Sequence, residues 1–457
     1  MTKTSRDELV VAEFMEKKMR LGNRLHSLQR IVYVLLMMAF SSNGATANQP
    51  IEQQIRQFVS AHQQEQLSLL EKLVNINSGT SNIPGVRKVG SILASEFETL
   101  GFKLRWEEEP PSMQRAGTLI AEHPGKKGRR LLLIGHLDTV FPINSPFQQF
   151  KREANFAMGP GVVDDKGGDI VILYALKALQ ANNLLNDANV TVVLTGDEED
   201  SGKPTSISRK PLKEVAKHCD IALDFEGAVT MDTATIARRG ITNWVMTSQG
   251  TESHSSQIFQ QGVSYGAIYE LVRILDTMRE QLAGEKYLSF NPGFILGGTS
   301  VDYDNKDSRG EGFGKGNVIA KAAVANGDLR FISEQQKEAA QQKIAAIINS
   351  HLTGTNAVIR FQDGIPAMSP TESNLKLLEK YSQASSQLGY GAIKPLDPVL
   401  RGAGDISFIA SEVEASLAGL GPAGSGIHSE KETLDIASLG IQTERAALLI
   451  YQLTQEN

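Results

Sequence analysis

Three apolar segments of this chain each end in a group of acidic residues, and this pattern restricts the fold more than any other feature. The segments are RLLLI before GHLD (130–138), VTVVLT before GDEED (190–200), and IALDFE (221–226). Short, continuous apolar runs are typical of strands that are buried on both faces of a parallel sheet. Ligands of open α/β sheets bind beyond the carboxyl ends of the strands. We therefore expect the acidic groups to lie at this edge of a central sheet.

Segments with helical periodicity alternate with these runs, which predicts an α/β fold with a mostly parallel central sheet flanked by helices. Helices are expected at 51–75, 85–100, 167–182, 371–388 and 434–454. Between the third and fourth of these, the pattern changes near Arg239-Gly240. A strand (240–250), a long amphipathic helix (264–283), a strand (318–331) and a helix (334–350) predict a small α+β domain inserted into the first. The predicted division is 48–238 and 357–457 for the main domain, and 239–356 for the inserted one.

The first 47 residues predict a secretory signal peptide. Ten apolar residues, Ile31–Phe40, follow a stretch rich in lysine and arginine and precede Ala45-Thr46-Ala47, a small-residue cleavage pattern. Ten residues are too few to span a bilayer as a helix. We therefore expect a secreted or periplasmic protein with no stable membrane insertion after processing, and an N-terminal membrane anchor is the alternative.

Composition narrows the class of function. The 457 residues carry 46 Lys and Arg against 52 Asp and Glu, a net charge of −6, which argues against a nucleic-acid partner. The hydrophobic fraction of 41% is that of an ordinary soluble protein. The single cysteine, Cys219, excludes an intrachain disulfide and a cysteine-rich metal site.

The polar residues that follow the apolar runs suggest a metal site. His136 and Asp138 are two residues apart, so their side chains point the same way on an extended strand. Glycines surround Asp164 and Asp165 in GPGVVDDKGGD (159–169), and His428 lies in a late glycine-rich loop. Clustered carboxylates repel one another unless a cation is present, and zinc binds histidine nitrogen and carboxylate oxygen. For each motif alone, a solvated acidic loop or incidental polar structure is the alternative.

Taken together, these motifs resemble the dizinc exopeptidase family that includes glutamate carboxypeptidase, aminoacylase and succinyl-diaminopimelate desuccinylase. The matching features are GHLDTV, GPGVVDDKGG, the Glu198-Glu199 pair, LDFE, SHSSQIFQQG, GNVIA with DLR, and GIHSE, in this order over roughly residues 70–430. The resemblance implies a zinc-exopeptidase α/β fold whose inserted domain is a lid and dimerisation domain. It also implies a cis peptide bond between Asp164 and Asp165.

The resemblance assigns a role to each matched residue. It implies two Zn²⁺ per chain, with Co²⁺ or Mn²⁺ as substitutes. One zinc would be held by His136, Asp164 and Glu226, and the other by Asp164, Glu199 and His428. Glu198 would be the general base and acid, and Asp138 would orient His136. Asp224 remains the rival of Glu226 because both lie at the end of the same predicted strand.

The implied activity is cleavage of a peptide or N-acyl amide bond next to a C-terminal amino acid. The partners would be a small peptide or an N-acyl amino acid and a second copy of the chain, bound through the lid domain. The predicted substrate-binding residues are His254, Asn317, Arg330 and Arg401. The alternatives are an N-acyl-amino-acid hydrolase or a dipeptidase and, from another class, a non-catalytic zinc-binding relative. That last alternative predicts a lost base or ligand, and this sequence retains all of them.

Overall fold

The computed structural model describes residues 49–456. The predicted signal peptide lies outside these residues, so it stays a prediction, as does the secreted or periplasmic location. None of the helices within the described part combines the length and the apolar content that a membrane crossing requires.

The helices of the described residues agree with most of the predicted positions. In chain order they are α1 (Ile51–Val74), α2 (Ile83–Thr99), α3 (Lys166–Ala181), α4 (Thr205–Ser208), α5 (Lys210–Ala216), α6 (Ala267–Leu282), α7 (Glu334–Asn349), α8 (Glu372–Gln387) and α9 (Ile436–Leu453).

The strands are more numerous than the sequence pattern predicts, mainly because of short pairings and an extra hairpin. In chain order they are β1 (Lys103–Glu107), β2 (Thr118–Pro124), β3 (Lys127–His136), β4 (Lys151–Glu153), β5 (Phe156–Met158), β6 (Ala188–Thr195), β7 (Ile221–Asp224), β8 (Thr233–Ala234), β9 (Gly240–Gly250), β10 (Ser289–Gly298), β11 (Ser300–Asp304), β12 (Arg309–Phe313), β13 (Ala322–Phe331), β14 (Thr355–Asp363), β15 (Lys394–Pro395), β16 (Ala415–Leu417), β17 (Gly424–Ser425) and β18 (Thr433–Asp435).

The central sheet has six strands in the order β1-β2-β6-β3-β7-β16. β3 pairs in parallel with β6 and β7, and β16 pairs in parallel with β7, whereas β1 and β2 are antiparallel. The apolar run of β3 is fully buried, and the buried helix α3 packs against α9. The prediction of an α/β fold with a mostly parallel central sheet is confirmed.

This topology places the three acidic segments at one edge of the sheet. His136, the last residue of β3, is opposite Thr195, the last residue of β6, and Ile134 is opposite Asp224, the last residue of β7. Because the three strands are parallel neighbours, the loops that follow them leave the sheet at the same edge. The polar residues after each run are therefore brought together although they are far apart in the sequence.

A second, antiparallel sheet has the order β10-β13-β9-β14 and carries α6 and α7. Its own core includes Trp244, Met246, Leu271 and Ile344. The sequence did not predict β10 or the β11–β12 hairpin, because glycine-rich segments here were interpreted as loops. The strand Thr355–Asp363 pairs with β9, so this sheet continues past residue 356. The division into domains itself stays a prediction.

Trp244 provides a test of packing in the second sheet. Its ring is 1% exposed and stacks on Phe290, with centroids 4.4 Å apart. We expect Trp244→Ala to lower the free energy of unfolding by about 3–5 kcal/mol, because it leaves a cavity in a packed core. Val358 is 49% exposed on β14 of the same sheet. Val358→Ala, the control, should change the free energy by less than about 0.5 kcal/mol. Urea unfolding measures both, and equal effects would contradict this packing.

Candidate metal centre

His136 is the last residue of β3, and Asp138 lies two residues beyond it. The two side chains contact each other. The His136 ring is buried, and its Nδ1 lies 3.2 Å from the backbone oxygen and 3.4 Å from Oδ1 of Asp138. Asp138 is also fully buried and accepts hydrogen bonds from the Thr80 hydroxyl (2.6 Å) and from the backbone N–H groups of Glu198 (3.0 Å) and Glu199 (3.2 Å). Asp138 thus orients the ring so that Nε2 is the nitrogen left for a ligand, and it fixes the loop of the two glutamates.

Asp164 lies between two histidine rings. Its Oδ1 is 2.9 Å from Nε2 of His136, and its Oδ2 is 3.1 Å from Nε2 of His428. The peptide bond that links Asp164 to Asp165 is cis, as the resemblance implied. Because each carboxylate oxygen faces a different ring, this side chain has the arrangement required of a carboxylate that bridges two metal ions.

Glu199 completes the group. Its Oε2 is 3.1 Å from Nε2 of His428, and its Oε1 is buried without a hydrogen-bond partner. Donor atoms of His136, Asp164 and Glu199 all lie within 4.8 Å of one another. A buried oxygen without a partner needs an explanation, and a bound ion is one. Imidazole nitrogen and carboxylate oxygen form a donor set that suits a divalent metal such as zinc, so these residues fit the predicted site.

His428 reaches this group from a loop between β17 and β18. Its backbone φ is +62°, in the left-handed region that residues other than glycine seldom occupy. Residues held in this region concentrate at functional sites, where the surrounding structure maintains them. The His428 ring is more than half exposed, so this side of the group faces solvent.

The pKa values of His428 and Asp164 show that the acids of this group favour a positive charge beside them. Hydrogen bonds with Asp164 and Glu199 raise the pKa of His428 to about 10. Burial acts to raise the pKa of Asp164, but the two histidines outweigh burial and hold that pKa below its usual range. The acids thus favour a positive charge at the two rings, a charge that a divalent cation could supply instead.

Glu198, the predicted general base, has a raised pKa. Burial is the main cause, and the negative charge of nearby Glu226 adds to it. A carboxylate whose pKa is raised is a stronger base, which suits a group that accepts a proton in a reaction. The backbone N–H of Glu198 donates to Asp138, so the carboxylate that orients His136 also fixes the backbone of Glu198.

Glu226 is placed differently from the other predicted ligands. It forms ion pairs with Arg238 (2.5 Å) and Arg401 (2.6 Å), and among the described residues it is not part of the group of converging donor atoms. Asp224 lies 3.3 Å from the same Arg238 nitrogen. The choice between Glu226 and Asp224 as a ligand therefore stays a prediction. Arg401, predicted to bind a substrate carboxylate, here binds a carboxylate of the chain itself.

His254, which follows β9, and Asn317, which precedes β13, lie side by side. His254 is opposite Val318 in a short β-bridge, and the Ser255 N–H donates to the Asn317 oxygen at 3.0 Å. Both residues are exposed, and His254 Nδ1 lies 2.8 Å from the Ser256 hydroxyl. Within the described part of the chain, no hydrogen bond or ion pair joins them to the metal-binding group.

Arg330 lies far from His254 and Asn317. It lies near the end of β13, opposite Ile241, and its guanidinium binds Asp328 at 2.8 Å. His254 and Asn317 are near the other end of that strand, where Ala322 is opposite Gln249. Eight residues of extended strand separate the two ends by about 26 Å.

Sequence reasoning missed Glu432, which supports the loop of Asp164. Its buried carboxylate accepts hydrogen bonds from the N–H groups of Gly161 (3.0 Å), Val163 (2.9 Å) and Asp164 (3.1 Å). Burial raises its pKa to about 7. Glu432 follows His428 by four residues, so it joins the loops of two predicted ligands. Its place two residues after GIHSE was a signal that could have drawn attention to it.

Two buried arginines were also missed. Arg209 pairs with Asp197 (2.6 Å) and Asp405 (2.5 Å) and donates to the Asp197 backbone oxygen, so it anchors the loop that carries Glu198. Arg238 holds Asp224 and Glu226, as described above. Nothing in the sequence distinguishes Arg209 from a surface arginine, and the Arg238-Arg239 pair at the predicted domain boundary was only a weak signal.

Comparison with known proteins agrees with this arrangement. Peptidase family M20/M25/M40 matches residues 132–452. Carboxypeptidase G2 from a Pseudomonas species is 28% identical over 92% of this chain and 97% of that protein. Succinyl-diaminopimelate desuccinylase from Pseudomonas syringae pv. tomato is 26% identical over 78% of this chain and 89% of the relative.

Solved structures share the fold. Aminopeptidase PepT from Bacillus cereus superposes with a TM-score of 0.69 at 16% identity, over 86% of this chain and 98% of the other. A Bacillus subtilis protein described as a dinuclear metal binding peptidase gives a TM-score of 0.60 at 15% identity, over 87% of this chain and all of the other. At these identities the likeness concerns the fold alone.

Glu432 offers a test of how the site is supported. We expect Glu432→Ala to lower the affinity for Zn²⁺ by about 10- to 100-fold, because the N–H groups that fix the Asp164 loop lose their acceptor. Glu430 is exposed on the same loop, and Glu430→Ala is the matched control. Calorimetric titration of the metal-free proteins measures both affinities. Equal affinities in the two variants would show that Glu432 does not support the site.

Proposed function

This chain belongs to peptidase family M20/M25/M40, and from that premise we propose that it is a dizinc hydrolase that removes a C-terminal amino acid from a peptide or N-acyl substrate. Membership makes it a metallohydrolase. The observation that carries the proposal is the position of Asp164, whose two oxygens each face a histidine nitrogen, at 2.9 and 3.1 Å. A carboxylate placed in this way can bind one cation through each oxygen, and histidine nitrogen and carboxylate oxygen are both zinc ligands.

The proposed metal ligands are the residues that converge at the edge of the central sheet. His136, Asp164, Glu199 and His428 would hold the ions, and Glu226, or its rival Asp224, would complete the second site. Two zinc ions would polarise the scissile carbonyl and activate a water molecule, the chemistry that such ions supply at neutral pH. Zinc suits these donors best, and Co²⁺ or Mn²⁺ would be substitutes.

Glu198 is proposed to move the protons. It would accept a proton from the attacking water and return it to the nitrogen of the leaving amine. Two features support this role. Its raised pKa makes its carboxylate a stronger base, and its backbone is fixed near His136 by Asp138. Asp138 acts through its neighbours and would not contact the substrate.

The substrate is proposed to carry a free carboxylate. Arg401 would bind this group through its guanidinium, which suits carboxylate recognition, and His254 and Asn317 would contact the rest. Arg330, at the far end of β13 and paired with Asp328, is not assigned a substrate contact. A carboxypeptidase among the relatives favours a peptide-like substrate with a C-terminal amino acid. A desuccinylase among them keeps an N-acyl amino acid as the second candidate, and a dipeptide is the third within the same chemistry.

The test of the function replaces Glu198. We expect Glu198→Gln to lower kcat by about 10²- to 10⁴-fold, because proton transfer is lost, while metal content stays at two ions per chain. The assay compares peptides ending in glutamate with N-acetyl amino acids, and elemental analysis gives the metal content.

Asp200→Asn is the matched control, since Asp200 is an exposed acid on the same loop that pairs with Arg115. It should leave turnover unchanged. Full turnover in Glu198→Gln would overturn the assignment of the base. A wild-type protein that binds zinc without cleaving either substrate class would favour the non-catalytic alternative.

We also propose a homodimer formed through the inserted domain. The exposed face of α6 presents Ile268, Tyr269 and Val272, and Ile295 is exposed on the neighbouring edge strand β10. Ile268 lies against Gly297 of that strand, so the helix and the strand form one apolar surface. Apolar surface of this kind is typical of subunit interfaces.

Light scattering tests the dimer. Val272→Asp should convert it to a monomer, because it places a charge in the apolar surface. Ile143→Asp is the control, since Ile143 is exposed outside the inserted domain. A wild-type protein with the mass of one chain would refute the proposal.

A further inference from the structure

Glu226 is paired with two arginines that differ in how firmly they are held. Arg238 is 1% exposed, and its backbone N–H and C=O both bond to Met368, at 2.9 and 3.0 Å. Its guanidinium also contacts Asp224 at 3.3 Å. Arg238 therefore remains paired with an acid whatever Glu226 does, and it is a fixed part of the structure.

Arg401 has no such support. It follows the short helical turn Pro398–Leu400, in which Val399 and Leu400 are mostly exposed. Within the described residues, its only ion pair is the one with Glu226, at 2.6 Å. If Glu226 turns away, the Arg401 guanidinium is left without a partner at the edge of the metal site.

The segment after Arg401 is anchored at its other end. A side chain at Gly404 would collide with Arg238 and Glu226, so the backbone there packs directly on their ion pair. The next residue, Asp405, binds Arg209 (2.5 Å) and the Thr195 hydroxyl (2.7 Å). The loop is thus fastened at Asp405, next to the strand end that precedes Glu198, and is exposed around Arg401.

We infer that Arg401 has two alternative partners: Glu226 before the second metal ion binds, and a carboxylate of the substrate afterwards. This inference rests on the proposed function, in which Glu226 becomes a metal ligand. A carboxylate that binds a metal ion neutralises less of the charge of its former guanidinium partner. A largely buried guanidinium without a partner is unfavourable, so it favours an incoming anion.

The consequence is a coupling between metal binding and substrate recognition. A carboxylate that binds Arg401 frees Glu226 for the metal, and a metal that binds Glu226 frees Arg401 for the carboxylate. Such coupling is reciprocal, because each ligand changes the affinity of the other by the same factor. Arg401 would therefore select substrates with a free carboxylate chiefly in the fully loaded enzyme.

The first experiment titrates metal-free protein with Zn²⁺ by calorimetry. Arg401→Met should strengthen the weaker of the two binding events by about tenfold, because no ion pair with Glu226 has to be broken. Arg239→Met is the matched control. Arg239 is the neighbour of Arg238 and, within the described residues, makes no ion pair with Glu226. An equal gain in Arg239→Met would indicate a general charge effect and overturn the inference.

The second experiment repeats the titration in millimolar acetate, a carboxylate that chelates zinc weakly. Acetate should strengthen the weaker event in the wild type and have a several-fold smaller effect in Arg401→Met. Direct contact of acetate with the metal would act equally in both proteins. An acetate effect of equal size in the two proteins would therefore overturn the inference.

These outcomes are separate from those that test the function. Two zinc ions per chain with an unchanged weaker affinity in Arg401→Met would overturn the exchange of partners and leave the metal centre intact. Glu226→Gln should abolish the weaker event. If it does not, Glu226 is not a ligand, and the inference falls together with that assignment.

Discussion

The site depends on one carboxylate shared between two histidines. Asp164 can face both His136 and His428 only because its loop and the His428 loop are held together, and Glu432 holds them by accepting three backbone N–H groups. Asp138 does the same on the other side, where it binds the ring of His136 and the backbone of the two glutamates. The proposed ligands are thus positioned by other acids, which themselves accept hydrogen bonds from backbone N–H groups.

Such a concentration of buried acids requires compensation. Arg209 and Arg238 supply it inside the protein, where each guanidinium binds two carboxylates. Among residues 49–456, the acids nearest the histidines pair with no arginine, and Glu199 keeps a buried oxygen without a partner. The buried acids therefore fall into two groups. One group is paired with Arg209 and Arg238, and the other, near the histidines, suits a cation. This distinction supports the metal site more strongly than the number of acids does.

Sequence reasoning identified the elements that are encoded locally. Buried runs such as RLLLI predict strands because every residue is apolar, and the acids at their ends follow directly. It failed where partners come from distant segments. Arg209 has the composition of a surface arginine, and only the fold brings Asp197 and Asp405 to it. The β11–β12 hairpin was missed because glycine weakens the alternation that marks a strand. For Glu226 the sequence predicted a ligand, and the contact with Arg401 could not be foreseen.

The link between Asp164 and Glu432 also has a consequence for the order of synthesis. Asp164 and Glu432 are 268 positions apart and form one hydrogen bond. The Asp164 loop therefore lacks its acceptor, the Glu432 carboxylate, until most of the chain has left the ribosome. Closing so long a loop early in folding is entropically unfavourable. A nascent chain that ends before His428 contains at most the half of the centre built on His136. Full affinity for the two proposed ions would therefore be a property of the completed polypeptide, acquired last.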